Sequence, residues 1–299
     1  MITGLIAPLL TPFDDKLALD QDKFHALAKC LLNSGCSGLA PFGTTGEALS
    51  VSHSERKAAL EGLVAAGIDP SVMIPGTGLC NLPDTIDLCQ HATNLGCAGV
   101  MTLPPFYFKE MSDAGLYDYF VRLIEGVNLD QLKIYLYHIP QVSGVGLSIP
   151  LVTKLCTDFP NIIVGIKDSS GDWENTKALL GIDGLIVYPG TELPVIDAIR
   201  LGAPGCISAT ANLNGSDIAE VIALCHAGEW DAAETKHKKV CAVRLLFQDY
   251  APIPAQKALL SRQLSQPSWN NLRPPMRQIA TDKLSALAHA LDKEFGMKF

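Results

Sequence analysis

Lys167 is the residue whose chemistry is most open. It closes an apolar run, Ile162-Ile163-Val164-Gly165-Ile166-Lys167, of the kind that forms a buried strand. Desolvation favours the uncharged form of an amine, and an uncharged amine can attack a ketone to give a Schiff base. The competing role is structural, an ion pair with Asp168, the next residue. Tyr137 ends a second apolar run, and Pro140 prevents the following residues from continuing a ladder. A phenol there can carry protons; it can equally be an aromatic plug. Gly43-Thr44-Thr45-Gly46-Glu47 places two hydroxyls between two glycines. Such a turn can aim hydroxyls and backbone N–H groups at one carboxylate, or merely cap the next stretch of chain. A fourth segment, Gly190-Thr191-Glu192, adds a glycine and a carboxylate after another short run. Asn161 and Tyr188 are read as packing.

These segments meet only if the chain brings them to one place. Short apolar runs at 4–10, 38–41, 72–75, 99–103, 133–137, 162–166, 185–188 and 205–208 read as strands. Amphipathic stretches between them, such as 20–33, 54–66, 83–95, 113–126, 150–158 and 193–201, read as helices. Eight such repeats close a (β/α)8 TIM barrel, in which residues just past the strand ends converge on one mouth. A doubly wound open sheet is the rival, but no Gly-x-Gly-x-x-Gly opens the first helix. Residues 1–215 form the predicted barrel core. Residues 216–299 supply the last barrel helix and an appendage of two or three extra C-terminal helices, with a loop over 263–275 rich in Pro, Asn and Ser.

Composition narrows the partners. Basic residues number 23 against 31 acidic, for a net charge of −8. Lys236, Lys238 and Lys239 form the face of one solvated helix, so nucleic-acid binding has no electrostatic footprint. No apolar run is long enough to cross a membrane as a helix, and the start of the chain lacks the pattern of a signal peptide. Nine cysteines and seven histidines include no Cys-x-x-Cys, His-x-His or His-Glu-x-x-His. No metal and no disulfide framework is expected, and a reducing cytoplasmic setting is.

Taken together, Gly43-Thr44-Thr45-Gly46-Glu47, Tyr137-x-Ile139-Pro140 and Gly165-Ile166-Lys167-Asp168-Ser169-Ser170 resemble the motifs of the dihydrodipicolinate synthase / N-acetylneuraminate lyase superfamily. The resemblance runs from Gly4-Leu5-Ile6-Ala7-Pro8 to Gly205-Cys206-Ile207-Ser208-Ala209-Thr210-Ala211-Asn212. It implies a class I aldolase or lyase that needs no cofactor and holds pyruvate, or another 2-oxo acid, as a Schiff base on Lys167. Tyr137 would be the acid/base phenol, Thr44 and Thr45 would hold the carboxylate, and Gly190 and Ile207 would line the pocket. A homotetramer is implied as well.

Departures from the family pattern bear on the aldehyde partner. Synthases of the family carry an arginine for the carboxylate of a semialdehyde where this chain has Val142, and a cross-subunit tyrosine where it has Phe108. Without that cation a charged aldehyde loses its partner. Residues 139–145 look nearer to the sugar-acid lyases, although Gly190-Thr191-Glu192-Leu193 offers one carboxylate where those enzymes place two. The expected substrate is a 2-oxo-3-deoxy sugar acid shorter than sialate, with Glu192, His138 and Ser208 bonding its hydroxyls. The alternatives are 4-hydroxy-tetrahydrodipicolinate (dihydrodipicolinate) synthesis, a metal-dependent aldolase on the same barrel, and a non-catalytic 2-oxo acid binding protein.

Overall fold

A computed structural model describes residues 1–299. Along the chain lie β1 (Gly4–Ala7), α1 (Gln21–Asn33), β2 (Gly38–Leu39), α2 (His53–Ala65), α3 (Leu82–Asn94), β3 (Val100–Thr102) and α4 (Asp113–Val127). Next come β4 (Ile134–His138), α5 (Pro140–Ser143), α6 (Ile149–Asp158), β5 (Ile163–Asp168), α7 (Trp173–Leu180), β6 (Ile186–Pro189) and α8 (Val195–Arg200). The chain closes with β7 (Gly205–Ile207), α9 (Ala211–His226), α10 (Trp230–Leu246), α11 (Pro252–Leu264) and α12 (Thr281–Phe295). Short polar side chains start the barrel helices. Asp20, Asn81, Ser112, Ser148 and Asp172 each accept from the first turn, and Ser52 forms a capping box with Glu55.

The strands are parallel, in two ladders ordered β2-β1-β7 and β3-β4-β5-β6. The third strand predicted at 72–75 does not form as a regular strand. Pro70–Val72 is a turn of 3-10 helix, and Pro75 has no N–H to give a ladder. The segment still fills its place in the barrel. Ile74 N–H donates to Leu39 O at 2.9 Å, and Met101 N–H to Pro75 O at 2.8 Å, tying the two ladders together. On the other side β6 packs beside β7 without a paired ladder. The first strand stops at Ala7, short of Leu10, because Pro8 cannot donate. The result is the TIM barrel with extra C-terminal helices that the sequence pattern predicts, α10, α11 and α12 being the extra ones. The expected boundary at 215/216 falls inside α9, one residue past a local break at Asn214 (φ −124°, ψ 33°).

Two apolar layers follow from the alternation of side chains along each strand. Inward residues fill the barrel: Ile6, Ala40, Ile74, Met101, Tyr135 and Ile207, with Tyr137 and Tyr188 among them. Outward residues join the helices in a larger shell, and the tail has its own core around Phe247, Leu259 and Leu287. Packing inside the barrel is tight at Gly165. A methyl group there would sit 2.5 Å from the Tyr135 ring and 2.7 Å from Ile186 O. Gly165→Ala should therefore destabilise the fold by about 1–3 kcal/mol, the usual cost of overpacking. Chemical denaturation checks this, and an unchanged midpoint would show that Tyr135 can turn aside freely.

Candidate active site

β4 and β5 place the two reactive side chains. Their register pairs Tyr137 with Lys167, and β6 continues it to Tyr188, so all three enter the barrel at one level. Lys167 is 5% exposed. Its Nζ donates to the Tyr137 hydroxyl at 3.4 Å and lies 4.5 Å from the centroid of that ring. It belongs to no ion pair. The Tyr137 hydroxyl is also 3.1 Å from Thr44 Oγ1. Lysine, phenol and threonine hydroxyl thus form a connected row, the arrangement needed to bring an amine, a proton carrier and a carboxylate donor to one small molecule.

The ion pair between Lys167 and Asp168 is not made. Strand alternation sends Asp168 to the outer face, where it accepts from Ser170 N–H at 2.9 Å, Asn175 Nδ2 at 3.1 Å and Thr176 Oγ1 at 2.6 Å. His138 also faces outward. Its Nδ1 accepts from Leu147 N–H at 2.9 Å, and the side chain is buried away from the mouth, so the expectation that it meets substrate hydroxyls is overturned.

The other expected residues are spread out. Thr44 is exposed, and Thr45 is buried in the same turn. Ile207 is fully buried and packs in the barrel with Tyr137. Gly190 N–H donates to Asp168 O at 2.6 Å, and its Cα packs on Ser169 so closely that no Cβ fits. It lines a separate depression with Asp168, Asp172 and Thr176. Glu192 is fully buried, its carboxylate taken by the hydroxyls of Ser208 and Thr210. Glu192 and Ser208 therefore bond one another in place of a substrate.

A cavity of about 180 Å³ opens above Tyr137 and Thr44. Met101, Leu103, Ile139 and Val142 form much of its wall, and Ile253 and Met276 reach it from the tail. Glu47, Ser50 and Ser143 supply polar atoms there. Sequence reasoning named Glu47 as part of a turn and, with Asp168 and Glu192, as a ligand candidate for the metal-dependent alternative, and passed over Lys257, its partner at 2.6 Å. A lone lysine within Ile253-Pro254-Ala255-Gln256-Lys257-Ala258-Leu259 was the available signal. Burial pushes the Glu47 carboxyl up, against the pull of Lys257, and pushes the Lys257 ammonium down.

The Dihydrodipicolinate synthetase family profile matches residues 1–294. A 4-hydroxy-tetrahydrodipicolinate synthase of Thermus thermophilus is 34% identical over 279 residues, 92% of this chain and 91% of its own. Among solved structures, dihydrodipicolinate synthase from Agrobacterium tumefaciens superposes with a TM-score of 0.90 at 33% identity, covering 98% of this chain and 99% of that one. YagE, a prophage protein of Escherichia coli K12 solved in complex with pyruvate, gives 0.89 at 25% identity, covering 99% of both chains.

The outward residues give this site a pH signature. Burial holds His138 below its ordinary range, with Asp168 pulling the other way. The unfolded chain's histidine takes up a proton near pH ~6.5, before the folded one does. Below that point the unfolded state binds more protons, so stability falls as pH drops from about 7 toward 5. His138→Asn keeps an acceptor for Leu147 N–H and should flatten this part of the fall. Identical Tm–pH curves for the two proteins would show that His138 contributes none of it.

Proposed function

The chain belongs to the dihydrodipicolinate synthetase family, whose members are class I pyruvate-dependent lyases, and from that premise we propose that Lys167 forms a Schiff base with pyruvate. The observation that carries this reading is a buried lysine whose amine meets a phenol and no carboxylate. An amine not engaged by an acid is free to attack a carbonyl. The Nζ–C2 bond forms as the ketone oxygen takes up protons and leaves as water. Tyr137, in reach of both Nζ and Thr44, moves those protons. The hydroxyls and N–H groups of Thr44 and Thr45 hold the carboxylate, which fixes C2 over the amine. Loss of a proton from C3 then gives an enamine that adds to an aldehyde; the reverse sequence cleaves the carbon–carbon bond. No cofactor takes part. A 2-oxo acid binding protein without turnover would have no use for a phenol so placed.

Two aldehydes make different demands on the cavity. Aspartate semialdehyde brings a carboxylate, and Val142, where an arginine would meet it, lines the cavity without a donor. Lys109 stands at this rim and favours the synthase as second reading. Its ammonium, however, is already taken by Ser143 O at 2.7 Å and by Phe106 O. The aldehyde released from a 2-oxo-3-deoxy sugar acid needs no cation. With Glu192, His138 and Ser208 turned elsewhere, and the Glu47 carboxylate buried against Lys257, Thr44 and Ser50 are the groups left at the wall for its hydroxyls. The sugar acid is the substrate we favour. The homotetramer implied by the resemblance would cover Tyr107 and Phe108, exposed by 75% and 64% beside the mouth.

Borohydride added with pyruvate should fix a covalent mass on the chain at Lys167, and Lys167→Ala should abolish it. An adduct on another lysine, or none, removes the Schiff base from this protein. In one preparation, kcat/KM for cleavage of a 2-oxo-3-deoxy sugar acid should exceed that for condensation of pyruvate with aspartate semialdehyde. The opposite order would assign the carboxylate to Lys109 and make the enzyme a synthase.

A further inference from the structure

Lys257 and Glu47 form an ion pair with neither side chain exposed; the other ion pairs meet solvent on at least one side. An interior ion pair is a poor source of stability beside an apolar pair of the same volume. Its value lies in what it fixes. Lys257 comes from α11, 210 residues beyond Glu47. Its Nζ donates to Glu47 Oε1 at 2.6 Å and to Thr11 O at 2.9 Å, and lies 4.6 Å from the centroid of the Phe13 ring. Thr11 in turn donates from its hydroxyl to Gly46 O at 2.6 Å.

The turn gripped in this way is a strained one. Glu47 has φ 53°, in the left-handed region that a residue with a side chain avoids. Gly46, just before it, packs where a Cβ would stand 2.7 Å from Leu9 O. A second cation from the tail holds the end of the same segment. Arg273 donates to Ser50 O at 2.6 Å and to Leu17 O at 2.7 Å, with its guanidinium 4.5 Å from the centroid of the Phe13 ring. Strained backbone persists where its surroundings over-determine it, and here the surroundings are supplied largely by the tail.

We propose that Glu47 and Lys257 are positioning residues for pyruvate: the pair holds the Gly43-Thr44-Thr45-Gly46 turn in the shape that presents Thr44 and Thr45 to the 2-oxo acid's carboxylate. The C-terminal helices are by this account a working part of the site. The inference rests on the assignment of Thr44 and Thr45 as carboxylate donors. Lys257→Met alone leaves Glu47 as a buried, unpaired charge and is expected to lower Tm steeply. The informative protein is Glu47→Gln/Lys257→Met, which removes both charges at nearly constant volume.

The double variant should recover most of the Tm lost by Lys257→Met yet bind pyruvate roughly tenfold or more weakly than wild type, the worth of a charge-assisted hydrogen bond. Pyruvate affinity is read by calorimetry and, separately, by the concentration that half-saturates borohydride trapping, with the extent of trapping at saturation unchanged. Wild-type affinity in the double variant, or an affinity that recovers in step with Tm, overturns the proposal and leaves the pair structural. Absence of trapping in wild type, with affinity still weakened in the double variant, would instead overturn the Schiff base and leave the positioning role standing.

Discussion

The site hangs on the register between β4 and β5. Tyr137 lies opposite Lys167, and His138 opposite Asp168. Because side chains alternate, one pair must face the barrel and the other the helices, and a slip of one residue would exchange them. The outward pair settles which. Asp168 is bonded by Asn175 and Thr176 of α7, and His138 by the N–H of Leu147 ahead of α6. These bonds are lost if either strand moves by one position. One layer below Lys167, Gly165 leaves room for the Tyr135 ring, and a bulkier residue there would push the strands apart. The polar residues behind the site and the glycine beneath it therefore determine what the lysine and the phenol can touch.

This division explains what was legible in the sequence. Lys167 and Tyr137 could be picked out because each sits at the end of a recognisable strand, and Thr44 because it lies in the glycine-flanked turn that follows β2. The direction of a side chain one residue further on is harder. His138 and Ser208 follow strand-end positions directly, so alternation turns them from the mouth, and Glu192 is drawn inward by Ser208 and Thr210. Periodicity alone does not register such partners. The irregular third strand has a similar cause: Pro75 removes a donor, yet the carbonyl oxygens and the N–H of Ile74 still hold the segment in place. The pairing of Glu47 with Lys257 spans 210 residues, and nothing local to either residue points to the other.

The two buried lysines illustrate opposite uses of one side chain. Lys257 has a carboxylate, a carbonyl oxygen and an aromatic face around its ammonium, and so it is bound in place as a charge. Lys167 has a phenol and an aromatic face but no acid. Its burial is therefore not offset by an ion pair, unlike that of Lys257. In the roles proposed above the first is a strut and the second a reagent, and only their partners distinguish them.

Those partners also separate chemistry from selectivity. Lys167 and Tyr137 stand on strands and are buried in the barrel interior, where a change in one side chain disturbs several others. The cavity above them is walled by Val142 of α5, by Phe106 and by Ile253 and Met276 of the tail. Substitution at the wall can thus change the aldehyde that is admitted without moving the amine. The same logic limits the tail's freedom. Ile253 and Met276 can vary, but Lys257 and Arg273, a few residues from them, hold the turn that carries Thr44 and Thr45, the carboxylate donors proposed above. Selectivity and support are carried by neighbouring residues of one C-terminal segment, so a tail replaced wholesale would alter both, whereas one altered residue by residue can tune the first and keep the second.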